Sequence, residues 1–225
     1  ARVLQLSGPL TGLSCAAGLY IGHQKVVSGK PTEWEAGQRC LINRNIEAAV
    51  IENSPRSILK EGLAYDRCQV GVLTRIDPEA HFGDYYIDSS DRVFNVLRSQ
   101  IDVVLRRGTG VLNADDPLQA EMAELCDGEV IWYSTHADNG IVGSHVQSGG
   151  RAVIVRDGQI RLLESERTEV LCPLASLPLT DGEPLHATEN LLAALAAAWS
   201  LGLSPAALRT GAETFDPPVP VAVPA

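Results

Sequence analysis

From Ala48 to Gly83 the chain reads AAVIENSPRSILKEGLAYDRCQVGVLTRIDPEAHFG: a short apolar strand, a tight turn with a short helix, a second apolar strand and a polar loop. Strands that alternate with helices imply a mainly parallel sheet, because the crossover returns the chain to the same end of the sheet. The first strand, Ala48 to Ile51, delivers Glu52 at its carboxyl end. The second, Val70 to Thr74, delivers a loop that carries His81. Open parallel sheets build their sites at such strand ends. A carboxylate and an imidazole on neighbouring strand ends handle hard cations and phosphates, which points to metal-assisted nucleotide chemistry.

The same rhythm extends along the chain. A helix-like opening, Arg2 to Leu6, precedes a strand around Leu10 to Cys15 and two short strands, Leu19 to His23 and Lys25 to Ser28. Thr32 and Glu35 form a capping box that starts a helix running to about Asn43. Val93, Val96, Leu97, Ile101 and Val104 occupy one face of a helix predicted over Asp91 to Leu105. A strand at Gly110 to Leu112 follows, then a helix with Asp116 as N-cap and Pro117 at its first position, then a strand from Glu129 to Tyr133. Between Gly149 and Leu171 the pattern becomes a hairpin turning at Asp157-Gly158. Helices over His186 to Leu201 and Pro205 to Phe215, the latter capped by Ser204, close the domain. The Pro-rich residues 216–225 read as a linker or tail. The expected fold is α/β, three-layered, with a mainly parallel sheet flanked by helices and a small antiparallel hairpin flank, in one domain over residues 1–215.

Charge narrows the partners. The net charge is −10 and the pI about 4.9, with Lys and Arg scattered singly, so neither nucleic acid nor an anionic membrane surface is expected. The five cysteines are far apart and form no CxxC, which argues against a disulfide framework or zinc knuckle and for a cytoplasmic protein. No apolar run reaches the roughly 18 residues of a membrane span. The chain starts at Ala1 and ends in PPVPVAVPA, so both ends are expected to be cut from something longer.

Four segments carry a resemblance: Gly18 to Gly22 (GLYIG), Ile58 to Val72 (ILKEGLAYDRCQVGV), Val111 to Pro117 (VLNADDP), and His186 through Ala194. In that order they resemble the central, ATP-binding domain of the Mur ligases, of the cyanophycin synthetase type. The resemblance implies a Mur-ligase central-domain-like fold and an ATP-dependent carboxylate–amine ligase. In such an enzyme a carboxylate is phosphorylated and an amine attacks the acyl phosphate, here adding arginine to an aspartate side-chain carboxyl. It implies ATP and Mg2+ as cofactors. Glu52 matches a magnesium-binding glutamate and His81 a histidine that ligates a second magnesium, and the two stand as the catalytic and metal pair. Thr74, Asn113, His186 and Asn190 match nucleotide-contacting positions. It further implies N- and C-terminal domains beyond this chain, an amino-acid or polymer substrate, and homo-oligomers.

The chain departs from that pattern at several points. It contains no G-x-x-x-x-G-K-[ST] phosphate loop. The nearest match, Gly29-Lys30-Pro31, lacks the hydroxyl residue, and in the family the loop would fall just before Ala1. The 225 residues alone are therefore expected to show little activity. Arg75 stands where the family has Asn, Leu97 where many relatives carry a carbamylated lysine, and Ala187 replaces Asn beside His186. Simpler readings stay open beside these. Glu52 also suits a cap for the helix after it, and His81 a surface loop. Asp115 and Asp116 suit helix capping first. Arg56 and Lys60 suit a solvated face, the cysteines small buried hydrophobes, and Trp34, Trp132 and Trp199 core or interface. Two alternative functions are a catalytically inactive Mur-like structural or oligomerisation module, and another Mur-type or folylpolyglutamate-type ligase.

Overall fold

The computed structural model describes residues 1–26, 31–77, 80–178 and 184–215, and among them the strands form two sheets. The smaller contains β1 (Thr11–Cys15), β2 (Gly18–Ile21), β3 (Gln24–Lys25) and β4 (Ala48–Ile51), in the order β3-β2-β1-β4. β1 runs antiparallel to β2 and parallel to β4. The larger contains β5 (Cys68–Val72), β6 (Val104–Asn113), β7 (Glu129–Ser134), β8 (Arg151–Arg156), β9 (Gln159–Glu164) and β10 (Arg167–Pro173), in sequential order. β5 to β8 are parallel, and β9 and β10 add the antiparallel flank. One expectation is thereby corrected: β4, which leads to Glu52, and β5, which leads to the His81 loop, belong to different sheets. Parallel pairing of β4 goes to β1, whose Thr11 to Ser14 register with Ala48 to Ile51.

The helices are α1 (Arg2–Leu6), α2 (Glu33–Ile42), α3 (Pro55–Glu61), α4 (Ser90–Leu97), α5 (Ser99–Asp102), α6 (Pro117–Met122), α7 (Gly140–Gln147), α8 (Pro184–Ser200) and α9 (Pro205–Glu213). Successive strand residues point to opposite faces, so both faces of the larger sheet are apolar and both are covered. Val111, Ile131, Tyr133 and Val153 meet Leu191, Leu192 and Leu195 of α8 and Leu208 of α9. Their neighbours Leu112, Trp132, Ala152 and Ile154 meet Val93 and Leu97 of α4, Ile101 of α5, Met122 of α6 and Val142 of α7.

Local signals produced most of these elements. Thr32 Oγ1 accepts from Glu35 N while Glu35 Oε2 accepts from Thr32 N, the reciprocal capping box. Thr32→Ala is expected to lower stability by about 1 kcal/mol, read by chemical denaturation. Asp116 caps α6 through Leu118 N, with Pro117 at the first turn, and Ser204 caps α9 through Ala207 N. Asp157 (φ +53°) and Gly158 (φ +68°) turn β8 into β9, the left-handed pair that a two-residue hairpin needs.

The helix expected over Asp91 to Leu105 ends early. It divides at Arg98 into α4 and α5, and Val104 opens a ten-residue strand that also absorbs Gly110 to Leu112. Val104 keeps helical spacing from Ile101, but the β-branched pair Val103-Val104 favours the sheet, where Val104 pairs with Cys68. Trp132 is buried and Trp199 half-buried under the Arg151 guanidinium, whereas Trp34 lies at the exposed edge of α2. Cys40 and Cys172 are buried, while Cys15, Cys68 and Cys126 are half-buried, and all five are free thiols. Burial, with Cys126 nearby, pushes the Cys68 thiol up to about 11, which keeps it an unreactive small apolar group at neutral pH. Residues 27–30, with the end of the Lys25 to Ser28 strand and most of Gly29-Lys30-Pro31, lie outside the described residues, as does the 216–225 tail.

Candidate functional site

The carboxyl ends of β5 and β6 meet the first turns of α8 through Arg75 with His186 and Asn113 with Glu189, whereas Glu52 stands at the end of β4 in the smaller sheet. Glu52 follows β4 directly. Its backbone N donates to Ser14 O, extending the β1–β4 ladder, and its Oε2 accepts from Ala16 N at 2.8 Å. The side chain is exposed, and Oε1 accepts no hydrogen bond among the described residues. The loop after it is held from two directions. Glu33 of α2 accepts from Ser54 N at 2.7 Å, and Ser54 caps α3 through Ser57 N. Asn53 Nδ2 donates to Tyr65 OH at 3.0 Å and to Gln100 Oε1 of α5 at 3.1 Å, which fastens the smaller sheet to the larger. Burial pushes the Tyr65 phenol up to about 12, with Cys68 adding and the Asn53 hydrogen bond opposing.

His81 is exposed on the loop ahead of Phe82. The link between the two loops is Arg56 of α3, four residues after Glu52. Its guanidinium lies 6.0 Å from the centre of the Phe82 ring and 3.4 Å from Asp84 Oδ2. Although solvated, Arg56 therefore ties the helix that follows Glu52 to the His81 loop. No group of three or more His, Cys, Asp and Glu side chains forms a metal cluster among the described residues.

β5 ends with Val72, and the chain then passes through Leu73 and Thr74 to Arg75. Tyr133, at the carboxyl end of β7, donates its hydroxyl to Leu73 O at 2.8 Å and Thr74 O at 2.7 Å. Burial, with Glu189 and Asp116 nearby, pushes this phenol well above its ordinary value, so it stays a donor. Nothing in the strand pattern of Glu129 to Tyr133 marked this clamp; its signal was a tyrosine at a carboxyl strand end, where a buried hydroxyl needs a partner. Tyr133→Phe is expected to cost about 1 kcal/mol in unfolding free energy and to speed amide exchange at Thr74 and Arg75.

Thr74 and Arg75 are both exposed. The Arg75 guanidinium meets His186 Nε2 of α8 at 2.5 Å; arginine has only donors, so Nε2 accepts. Asn190, one turn further along α8, is exposed on the same face. Asn113 ends β6 and is buried. Its Nδ2 donates to Glu189 Oε1 of α8 at 3.2 Å, its Oδ1 accepts from Asp115 N, and its backbone N donates to the buried Gln119 Oε1. Asn113 thus positions α8, and Glu189 and Gln119 are partners that the sequence reading missed.

Asp115 is a structural knot. Its carboxylate accepts from Ser134 Oγ (2.6 Å), Thr135 N (2.7 Å), Thr135 Oγ1 and Asn139 Nδ2, and lies 3.1 Å from His136 Nδ1. Burial alone would push this carboxyl up; hydrogen bonds from Ser134, Thr135, His136 and Asn139 outweigh that and hold it below its ordinary value. The knot closes the β6 and β7 ends over the start of α7, a helix with two glycines that the sequence pattern did not reveal.

Along 96% of its length the chain is 33% identical to cyanophycin synthetase from Crocosphaera subtropica and 32% identical to that from Synechocystis. It is a relative of the cyanophycin synthetases. A solved UDP-N-acetylmuramoyl-L-alanyl-D-glutamate–2,6-diaminopimelate ligase superposes on 96% of the chain with a TM-score of 0.66 at 15% identity, which places the fold with the Mur ligases. No family model matches the chain. The chain spans about a quarter of the length of the cyanophycin synthetases it matches, and 43% of that solved ligase. Among the described residues, no helix is long and apolar enough to cross a membrane.

Proposed function

We propose that this chain is the nucleotide-binding module of an ATP-dependent carboxylate–amine ligase of the cyanophycin synthetase type, acting within a longer cytoplasmic polypeptide and occupying residues 1–215 of the stretch described. The observation that carries the reading is the contact of Arg75, at the exposed end of the β5 strand segment beside Thr74, with His186 in the first turn of α8; Glu52, exposed at the end of β4, is assigned to the same site by this reading. In the proposed reaction the γ-phosphoryl group moves from ATP to an aspartate side-chain carboxylate, giving ADP and an acyl phosphate. The α-amine of arginine then attacks the acyl carbon, expelling phosphate and losing a proton, and an amide remains.

The chemistry of the donors fits a magnesium nucleotide. Mg2+ takes one or two carboxylates and fills the rest of its shell with phosphate oxygens and water, so it needs no cluster of three protein ligands. Glu52 offers Oε1 while Oε2 stays on Ala16 N. His81 is a secondary ligand in this reading, since imidazole suits softer metals. When bound, Mg2+ would neutralise and align the phosphates and the substrate carboxylate. The chain's own residues do the positioning. Ala16, Glu33 and Asn53 fix the Glu52 loop, Tyr133 fixes Thr74, and Asn113 fixes the helix whose exposed His186 and Asn190 face the nucleoside.

The competing reading, a scaffold without catalysis, is favoured by Leu97, which lies in the core against α5 rather than at a ligand position. Incubating the full-length protein with Mg-ATP, arginine and an aspartate polymer separates the readings. ADP release that requires both arginine and polymer, matched by amide formed, supports the ligase. No ADP under any condition supports the scaffold, and a requirement for another amine supports a peptidoglycan- or folylpolyglutamate-type ligase.

A further inference from the structure

We propose that Arg75 binds a phosphoryl oxygen of the nucleotide, with His186 as its positioning residue; the inference rests on the nucleotide-site reading above. The carbonyls before Arg75 are clamped by the Tyr133 hydroxyl, so its backbone has a fixed origin. Its guanidinium is fixed at the other end by His186 Nε2. Two anchors on different elements hold an exposed arginine side chain, which would otherwise lose order to its own rotamer entropy.

The nature of the second anchor matters. In this acidic chain Arg56, Arg92, Arg98, Arg151 and Arg161 each pair with a carboxylate. Arg75 forms no ion pair among the described residues and hydrogen-bonds an imidazole nitrogen instead. That acceptor directs the guanidinium without cancelling its charge. One donor is engaged by His186, and the rest of the planar fork can take two oxygens of one phosphoryl group. The first turn of α8 carries His186, and the positive end of this 17-residue helix reinforces attraction for an anion at the same place.

The test is calorimetric titration of the full-length protein with Mg-ATP and, separately, with adenosine. Arg75→Gln is expected to weaken Mg-ATP binding by about tenfold or more, leave adenosine affinity within twofold, and flatten the salt dependence. Arg75→Lys should recover part of the loss. His186→Gln, which keeps an acceptor for the guanidinium, should weaken Mg-ATP less than His186→Ala. Equal loss for adenosine and Mg-ATP, or unchanged Mg-ATP binding by Arg75→Gln, would overturn the proposal while leaving the nucleotide site in place. A wild-type protein that binds no Mg-ATP overturns both.

Discussion

Glu52→Gln in the full-length protein is expected to reduce ligase turnover about a thousandfold, the scale for removing one group that stabilises charge developing in a transition state. The amide is chosen because it separates two roles of the side chain. Glutamine is nearly isosteric, and its carbonyl oxygen can still accept from Ala16 N, as Glu52 Oε2 does. What it removes is the negative charge at the end of β4. If Glu52 only closes the β1–β2 turn against its loop, Glu52→Gln will melt and turn over like the parent. If the carboxylate holds the cation beside the phosphates, the variant will melt normally and lose turnover, and added Mg2+ will restore part of it.

Asp115→Ala is expected to lower the unfolding free energy by about 3 kcal/mol. The carboxylate side chain is only 11% exposed, and truncation removes the acceptor of Thr135 N and Thr135 Oγ1 and one of the two acceptors of Ser134 Oγ and of Asn139 Nδ2, which keep His136 O and Ala114 O. Unsatisfied groups of this kind cost on the order of 1–3 kcal/mol each, reduced where water can reach them. The knot also has a signature in pH. Because the folded carboxyl sits below its unfolded value, its contribution to stability is fully present at neutral pH. It begins to fall below about pH 3.9, the ordinary aspartate value, and is lost as pH drops through the folded value. Urea denaturation of wild type and Asp115→Asn should therefore differ at pH 7 and converge in acid. A difference that persists unchanged below both values would mean that the charge is not what the neighbours hold.

Much of this architecture was legible because single residues carry strong local signals. Thr32 with Glu35, Asp116 with Pro117, Ser204 with Pro205, and Asp157-Gly158 each form the cap or turn that their chemistry dictates. What escaped depended on long-range pairing. The strands around Glu52 and before His81 looked like neighbours in one sheet, but strand pairing is set by register and burial, and β4 pairs with β1. The helix expected over Asp91 to Leu105 failed because Val104 satisfies a helical stripe and a buried strand equally well, and only the partner Cys68 decides between them. α7 stayed hidden because Gly140 and Gly143 are poor helix formers, while Asn139 Oδ1 capping Ile141 N and Val142 N makes up part of the deficit.

At the site, sequence spacing located the carboxyl strand ends but could not tell which side chains face outward and which brace the structure. Glu52, Thr74, His186 and Asn190 are exposed there, whereas Asn113 is buried and spent on Glu189 and the turn at Asp115. Arg75 was visible as a departure from the family pattern. Its meaning comes from a contact to a residue far along the chain, which no local pattern encodes. Tyr133, Asn53 and Gln100 are of the same kind, ordinary in sequence and decisive in how they hold the loops.

Amide hydrogen exchange of the full-length protein, with and without Mg-ATP, tests the placement of the nucleotide site directly. The account predicts that Mg-ATP slows exchange in three separate stretches, residues 52–54, 74–77 and 186–190, while the β8–β10 flank is unchanged. Protection confined to other segments, or absent from all three at saturating nucleotide, would contradict it.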